Sequence, residues 1–187
     1  MTIKPNDYDK IPSELKSLCQ WVVWRRIPAK PKPKKIPFQP RQHKKMASTT
    51  DPTTWATYDE AVQTFNQHQF SGIGFVFTTD DPYVGVDLDK CRVAETGVLE
   101  RWAQHIVEQL SSYAEVSPSG TGVHIIVQGS LPPKGRKKGQ VEMYDSRRFF
   151  CMTGDHFTNT PTTIEQRQSE LESLHTQVFG QANSPLS

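Results

Sequence analysis

The chain has 187 residues, of which 35% are hydrophobic, and a formal net charge of +2 at pH 7. A chain of this length buries roughly two-thirds of its unfolded surface and needs no disulfides, and no apolar run approaches the ~20 residues of a membrane helix. Residues 1–12 lack the apolar core of a secretory signal, and the three cysteines match neither a disulfide framework nor a C-x-x-C clip, so we expect a reducing, cytoplasmic compartment without membrane or zinc.

The N-terminal half is predicted to hold strands and one helix. CQWVVWRRI (residues 19–27) is an apolar run rich in β-formers and predicts a strand. The prolines between Pro28 and Pro40 confine the next segment to loop or extended chain, with a short strand in IPFQP. A helix is predicted to open near Thr54. Its apolar positions lie at helical spacing: Trp55, Tyr58, Val62 and Phe65.

The segments SGIGFVFT and YVGVDLD follow, separated by the turn signal TDDP, and predict a β-hairpin. ETGVLERWAQHIVEQLSSY predicts a helix with a buried apolar face. This face comprises Val98, Leu99, Trp102, Ile106 and Leu110.

The C-terminal part is predicted to add strands and a last helix. YAEVSPS leads through GTG into the strand VHIIVQG, and QVEMYDSRRFFCMTG is expected to hold two strands. TTIEQRQSELESLHTQVF predicts a helix with a capping box from Thr162 to Glu165, and the tail GQANSPLS a disordered linker. This order predicts an α+β fold with a mostly antiparallel sheet and helices packed on one face.

Positive charge is concentrated in two runs. Residues 30–45, KPKPKKIPFQPRQHKK, contain seven Lys and Arg and no acid, and residues 134–138 read KGRKK. Segregated positive charge attracts polyanions, nucleic acid above all. The alternative for either run alone is a solvated lysine-rich loop.

Two carboxylates stand on one face of the strand YVGVDLD. Asp87 and Asp89 alternate with apolar residues, so they point the same way, about 6.6 Å apart along a strand that rises ~3.3 Å per residue. Such carboxylates repel each other unless a cation lies between them. A solvated acid pair on a surface strand is the alternative, but the apolar density around it is typical of a central strand.

SPSGTGVHIIV joins a loop of small residues to a strand that carries a histidine. Ser117, Ser119 and Gly120 offer hydroxyl and backbone N–H groups of the kind that wrap a phosphate. His124 projects from the face opposite Val123, with the polar set. A plain turn followed by a histidine satisfied within the sheet is the alternative.

A third acid lies in QVEMYDSRRFF. Glu142 and Tyr144 share one strand face, and a strand bearing Glu142 beside that of the aspartates would complete a three-carboxylate cage. Such a cage can hold two Mg²⁺ or Mn²⁺ ions, and Arg148 could meet a triphosphate with its planar guanidinium group. Alternatively, Glu142 forms an ordinary ion pair with Arg147 or Arg148.

With these three motifs in this order, the sequence resembles the archaeo-eukaryotic primase superfamily, and more narrowly the primase-polymerase domains of phages, plasmids and other mobile elements. That superfamily has an acidic pair on a strand, a small-residue loop ending in a histidine, and a third acid after apolar residues. WVVWR, PKKIPF, DPTTWATYDEA, GIGFVF and RRFFCMTG resemble the flanking segments of mobile-element members. The resemblance spans roughly residues 21–154.

The resemblance implies a role for individual residues. Asp87, Asp89 and Glu142 would be the catalytic ligands of Mg²⁺ or Mn²⁺, with Asp145 taking the place of Glu142 if a β-bulge intervenes. The incoming nucleotide would contact Ser117, Ser119, Gly120, His124, Tyr144 and Arg148. The nucleic-acid contacts would come from Lys34, Lys35, Lys134, Arg136, Lys137 and Lys138.

The resemblance also implies an RRM-like antiparallel sheet that carries the acids, joined to a small N-terminal α/β unit. The catalytic domain would span residues 1–160, with the basic unit at about 1–70 and the core at about 71–160, and residues 161–187 would form a C-terminal helix and tail.

The implied function is template-directed nucleotidyl transfer, as DNA polymerase, primase or both. Its partners would be template DNA and dNTPs or NTPs. A helicase would act in trans or on a longer parent chain, because this sequence has no G-x-x-x-x-G-K-[ST] phosphate loop. A non-catalytic nucleic-acid-binding or replication-initiation module on an RRM-like fold is the alternative from another class. A rolling-circle nickase would need an H-x-H pair, which does not occur here.

Overall fold

The computed structural model describes residues 7–180. Its helices are α1 (Ser13–Lys16), α2 (Tyr58–Gln67), α3 (Arg101–Leu110) and α4 (Gln168–Phe179). Its strands are β1 (Trp21–Ile27), β2 (Lys34–Phe38), β3 (Gly72–Phe77), β4 (Tyr83–Leu88), β5 (Ala114–Val116), β6 (Val123–Gln128), β7 (Lys137–Lys138), β8 (Val141–Tyr144) and β9 (Arg148–Met152). No helix among these residues is long and apolar enough to cross a membrane.

The strands form two antiparallel sheets, so the α+β class and the antiparallel pairing are as predicted. The first sheet has the order β2-β1-β3-β9 and the second β5-β6-β4-β8-β7. The first sheet therefore combines the two N-terminal strands with β3 and β9, which lie beyond residue 70. The acids belong to the second sheet, whose central strand is β4.

The predicted β-hairpin of GIGFVF and YVGVDLD is wrong, because β3 and β4 lie in different sheets. Strand β3 pairs with β1 and β9, and β4 pairs with β6 and β8. Because both strands are central in their sheets, every residue of β3 is buried, and so is every residue of β4 except Asp87. Asp81 shapes the corner between them: its carboxylate accepts hydrogen bonds from the backbone N–H groups of Thr78 and Tyr83 and from Gln20 Nε2. The TDDP segment is therefore tied to the residue before β1 rather than closing a two-stranded turn.

Helix α2 begins at Tyr58 rather than near Thr54, which lies in a 3-10 turn. Thr57 is its N-cap and forms a capping box with Glu60: the Thr57 hydroxyl accepts from Glu60 N, and the Glu60 carboxylate accepts from Thr57 N. Trp55 consequently lies outside the helix.

The capping box predicted at Thr162 and Glu165 is wrong. Helix α4 begins only at Gln168, and Arg167 at its N-cap makes no side-chain cap. The preceding residues are extended alongside the end of β6, since Gln128 N donates to Glu165 O and Arg167 N to Gln128 O. Because their backbone groups form these sheet-like hydrogen bonds, the residues before Gln168 do not form the helical turn that the sequence pattern predicted.

Helix α3 is also shorter than predicted, and Val98 lies before it in a loop. Val98 is 60% exposed rather than buried. The helix still turns an apolar face to the core through Ala103, Ile106, Val107 and Leu110.

Two cores cover opposite faces of the second sheet. On one face α3 and α4 pack against apolar residues of the central strands, among them Val84, Val86, Ile125 and Met143. The other face meets the aromatic core of the first sheet at Gly85, where an added Cβ would lie 2.5 Å from the ring of Phe150. Asp87 lies two residues beyond Gly85 on the same face of β4, at the rim of this interface between the sheets.

Candidate functional site

A line of polar residues crosses the second sheet at the position of Asp87. In the strand register Asp87 is the partner of His124 on β6 and of Glu142 on β8. His124 is in turn the partner of Glu115 on β5, and Glu142 of Lys137 on β7. Side chains that are directly opposite on antiparallel strands share a face with Cβ atoms about 5 Å apart. We call these five residues, Glu115, His124, Asp87, Glu142 and Lys137, the polar row.

Asp87 occupies the centre of the polar row. Its Oδ1 atom is buried and has no hydrogen-bond partner within residues 7–180, and His124 Nε2 is 3.7 Å away, too far for a hydrogen bond. Burial raises the pKa of Asp87, while the nearby His124 opposes the shift and Asp89 adds to it. A buried, unpaired carboxylate oxygen is costly to maintain, and a cation would relieve that cost.

Glu142 has the opposite balance. Burial alone would raise its pKa, but hydrogen bonds from Lys137 Nζ and from the Tyr144 hydroxyl, at 2.7 Å, outweigh burial and hold its pKa below the usual value. Arg148 extends this series of hydrogen bonds: its guanidinium group donates to the Tyr144 hydroxyl at 3.1 Å and lies over the Tyr144 ring. The alternative considered for Glu142 was an ion pair with Arg147 or Arg148, but its ion pair in the structure is with Lys137.

The register also separates the two candidates for the third acid. The pairing of β4 with β8 is regular from Gly85↔Tyr144 to Leu88↔Val141, without a bulge. Asp145 falls beyond the end of β8, where its carboxylate lies 3.5 Å from Arg136 Nη2. Glu142 is therefore the acid that faces Asp87. Asp89 follows the end of β4, exposed, with its backbone N–H bonded to Gln140 O.

The serine-rich loop lies beside the end of β4. An added Cβ at Gly122 would lie 2.6 Å from Leu88 O, so only glycine allows this approach. The hydroxyls of Ser117, Ser119 and Thr121 contact one another in sequence at 3.0 and 2.9 Å. Gly120 has φ +75°, a conformation that glycine adopts without strain. The loop thus presents a line of hydroxyl groups at the end of β4.

Glu115 was not predicted as a site residue. It is fully buried and contacts His124 Nδ1 at 3.3 Å. The histidine is therefore satisfied within the sheet on one side, as the alternative interpretation held, while its Nε2 side faces Asp87. The available signal was a single acid in the otherwise apolar run of YAEV.

The predicted nucleic-acid-binding residues fall in two places. Lys34 and Lys35 lie on the edge strand β2 and are exposed. Lys35 is close enough to Asp87 for its charge to oppose the rise that burial causes in the pKa of Asp87. Lys134, Lys137 and Lys138 are exposed around β7. Arg136 is half-buried, and its Nη1 donates to Pro132 O at 2.7 Å, so this arginine holds the loop together.

The donor set suits a hard divalent cation. Within residues 7–180 no group of three or more His, Cys, Asp and Glu side chains converges closely enough to hold a metal ion as it stands. The Glu142 carboxylate is engaged by Lys137 and Tyr144. The unpartnered Asp87 oxygen and the Glu142 carboxylate opposite it nevertheless offer carboxylate oxygens on one sheet face, which Mg²⁺ and Mn²⁺ prefer. Asp89 was predicted to share this face, but it lies in the turn after β4, which ends at Leu88.

Over 149 residues the chain is 38% identical to a DNA primase-polymerase of Nitratiruptor phage NrS-1. The chain carries a primase-polymerase domain of the phage type. The match covers 76% of this chain and 20% of the phage protein, so the chain spans about a fifth of the length of that relative. No protein-family model matches the chain.

The structure of this primase-polymerase domain brings together most of the residues that the resemblance singled out. Asp87, His124 and Glu142 share the polar row, and Tyr144 and Arg148 adjoin it through hydrogen bonds. The basic residues of β2 and of β7 lie on edge strands of different sheets.

Proposed function

We propose that this domain catalyses template-directed nucleotidyl transfer, as DNA polymerase, primase or both, in the replication of a phage or other mobile element. The observation that supports the proposal best is the register Glu142↔Asp87↔His124. It puts two carboxylates and an imidazole on one sheet face beside a loop of hydroxyl groups. The similarity to a phage DNA primase-polymerase supports the same activity.

Asp87, Asp89 and Glu142 are the proposed ligands of Mg²⁺ or Mn²⁺. Divalent cations there would lower the pKa of a primer 3′-hydroxyl and neutralise charge on the triphosphate. Ser117, Ser119 and the Gly120 backbone would bind phosphate oxygens through their hydroxyl and N–H groups.

The remaining polar side chains would orient the nucleotide. His124 would present its Nε2 side to the triphosphate, and Arg148, held over Tyr144, would reach it from the other side of Glu142. Tyr144 is positioned beside Glu142 to meet the sugar edge. Its hydroxyl already donates to Glu142, which fixes the ring relative to the acids.

The exposed lysines would hold template DNA through phosphate contacts. These are Lys34, Lys35, Lys134, Lys137 and Lys138, with Arg136 supporting the loop. Phosphate contacts carry no base information, so binding would be independent of sequence and would weaken steeply with salt. A helicase in trans or on a longer parent chain would supply strand separation.

Primer extension tests the proposal most directly. Replacing Asp87 and Asp89 together by Ala should abolish Mg²⁺- or Mn²⁺-dependent nucleotide incorporation, a loss of at least ~10³-fold, because the proposed metal ligands are removed. The matched control is Asp145→Ala, an acid of the segment that carries Glu142 but outside the polar row, which should retain activity within about threefold. The assay is run with and without a primer, using dNTPs and NTPs, to separate extension from priming.

An Asp87→Ala/Asp89→Ala protein that still extends a primer would refute the site assignment. Titrating Mn²⁺ while following nucleoside-triphosphate binding separates the enzyme from a non-catalytic binding module. The enzyme should need the metal to bind the triphosphate, whereas a binding module should bind nucleic acid without any metal requirement.

A further inference from the structure

Glu115 is a carboxylate with no exposed surface, and every position around it is filled by a donor. Its Oε1 atom is 3.1 Å from Thr153 N and 3.3 Å from His124 Nδ1. Its Oε2 atom accepts from Gly154 N at 2.9 Å and from the Tyr113 hydroxyl at 3.0 Å. A buried carboxylate is tolerated only when it is well supplied with hydrogen bonds, and this one is fully supplied.

These contacts determine which ring nitrogen of His124 carries a proton. A carboxylate only accepts hydrogen bonds, and two of its partners, the backbone N–H groups, only donate. The contact with His124 Nδ1 is favourable only if Nδ1 is a donor as well. The acceptor is fixed by three other groups, so it requires a proton on Nδ1 and selects one orientation of the ring.

The ring of His124 has little freedom to turn. It is 3% exposed and lies against Phe150, with ring centroids 4.7 Å apart. With Nδ1 bound to Glu115, Nε2 is left facing Asp87 at 3.7 Å. The backbone donors to Glu115 come from the segment after β9, so the same carboxylate ties the first sheet to the second at this point.

We propose that Glu115 is a positioning residue: it accepts the Nδ1 proton of His124, holds the ring in register with Asp87, and so directs the Nε2 edge of the ring towards the incoming nucleotide, where the imidazolium form, with a proton on each nitrogen, can donate to a phosphate oxygen. The role in nucleotide binding rests on the proposed function, whereas the Glu115–His124 hydrogen bond does not. The acid, the imidazole and the catalytic aspartate form one line across β5, β6 and β4.

The hydrogen bond is tested by NMR of protein labelled with ¹⁵N in histidine. With the His124 signals assigned from H124A, the wild-type protein should show a proton on Nδ1 that exchanges slowly with water, and in E115Q this slow exchange should be lost. A wild-type His124 that is protonated only on Nε2 overturns the inference, whether or not the protein extends a primer.

The consequence for the nucleotide is tested by a double-mutant cycle, with the dissociation constant of dATP measured in the presence of Mn²⁺ by calorimetry. E115Q should weaken dATP binding roughly 10- to 100-fold, as changes to the residues that orient a ligand do. In the H124A background the same change should cost less than about threefold, because the ring through which Glu115 acts is gone.

The matched control is Y113F, which removes another hydrogen bond to Glu115 but leaves the His124 contact, and it should keep the dATP dissociation constant within about threefold. An equal loss from E115Q with and without His124, or a loss in Y113F as large as in E115Q, would assign Glu115 a structural role only and overturn the proposal. Failure of the wild-type protein to extend a primer would instead count against the proposed function, since the NMR result does not depend on catalysis.

Discussion

Asp87 and Glu142 are neighbours across two strands, yet their surroundings shift their pKa values in opposite directions. Burial dominates at Asp87 and raises its pKa. At Glu142 the hydrogen bonds of Lys137 and Tyr144 prevail over burial. The difference arises because Lys137 lies at the sheet edge, one strand beyond Glu142, and does not reach the central strand. In the absence of a divalent ion, Lys137 supplies the only cation in the polar row besides any proton on His124.

Replacing Lys137 by Met should therefore tighten Mn²⁺ binding. The ammonium group and the metal compete for the Glu142 carboxylate, and an exposed or partly exposed ion pair contributes roughly 0.2–1 kcal/mol, so we expect up to about a fivefold lower dissociation constant. Electron paramagnetic resonance of free Mn²⁺ measures this. Lys138→Met is the control, since Lys138 is the partner of Val141 rather than of the acid. Weaker Mn²⁺ binding in Lys137→Met would show that Lys137 assists the site instead.

Strand alternation in the sequence predicted correctly on which strand face several polar residues lie, whereas their roles stay predictions. Asp87, His124 and Glu142 were each placed on the polar face of a strand, and the register puts those faces together. Glu115 was not predicted because a single acid in a three-residue strand forms no motif or alternation that the sequence could show. Its role depends on donors from residues 153 and 154, which are distant in sequence.

Among the secondary-structure elements, β4 can pack closely against the first sheet because it contains Gly85. Gly85 allows the aromatic rings of Phe77 and Phe150 to lie against the strand, and an added Cβ would come within 2.7 Å of both. The strand can thus carry the half-buried Asp87 on the same face while all its other residues are buried.

Gly85→Ala should destabilise the domain by about 1–3 kcal/mol, because the rings must shift to admit the methyl group. Urea denaturation at neutral pH measures the free energy of unfolding. Val98→Ala, at an exposed loop position, is the control and should change that free energy by less than about 0.5 kcal/mol. If Gly85→Ala proves as stable as the control, the sheets are less tightly apposed than the structure has them.

The capping box of α2 gives the domain a pH-dependent element. Hydrogen bonds from Arg41, then from the Thr57 backbone, lower the pKa of Glu60 to about 2. Because this pKa is depressed in the folded state, the stabilisation is present above the unfolded value of about 4.3 and is lost as the pH falls from about 4 towards 2.

Glu60→Gln should accordingly cost about 1 kcal/mol at pH 7, a modest amount because the pair with Arg41 is partly exposed. The cost should shrink towards zero at pH 2. Urea denaturation of wild type and variant at both pH values measures the difference. Asp59→Asn removes a charge from the same helical turn without touching the cap, and it should show no comparable pH dependence. A Glu60→Gln cost that is equal at both pH values would contradict the assignment.

Elements were predicted correctly where a local pattern extended over several residues, as in β1, β6 and the two strands β8 and β9. The helix starts were less predictable. Thr162 and Glu165 have the spacing of a capping box, but backbone hydrogen bonds to Gln128 hold that segment extended. At Thr57 and Glu60 the same spacing does begin a helix. The spacing of Thr and Glu is the same in the two cases, but their tertiary surroundings differ.

At the scale of the whole molecule, α4 belongs to the core of the second sheet. Leu171 and Leu174 are buried among residues of α3 and of the central strands. His175 contacts the carbonyl oxygens of Lys134 and Gly135, so the helix also holds the base of the basic loop before β8. A domain boundary at residue 160, as expected from the sequence, would separate α4 from the core to which its buried leucines belong.

Leu171→Ala should destabilise the domain by about 2–5 kcal/mol, since the side chain is fully buried and its removal leaves a cavity. Thermal and urea unfolding measure the change. Thr176→Ala, on the exposed side of the same helix, should be neutral within about 0.5 kcal/mol. A neutral Leu171→Ala would indicate that α4 is a detachable appendage and would favour the boundary at residue 160.

The α+β class, the order of most elements and the residues that carry the candidate chemistry could be predicted from the amino-acid sequence. These predictions rest on periods of two and 3.6 residues and on short motifs, which are local properties of the chain. The division of the strands into two sheets, the choice of Glu142 over Asp145 as the acid opposite Asp87, and the contact of Glu115 with His124 became visible in the folded chain alone. Pairing between distant strands depends on which buried surfaces fit together, and no short stretch of sequence records that.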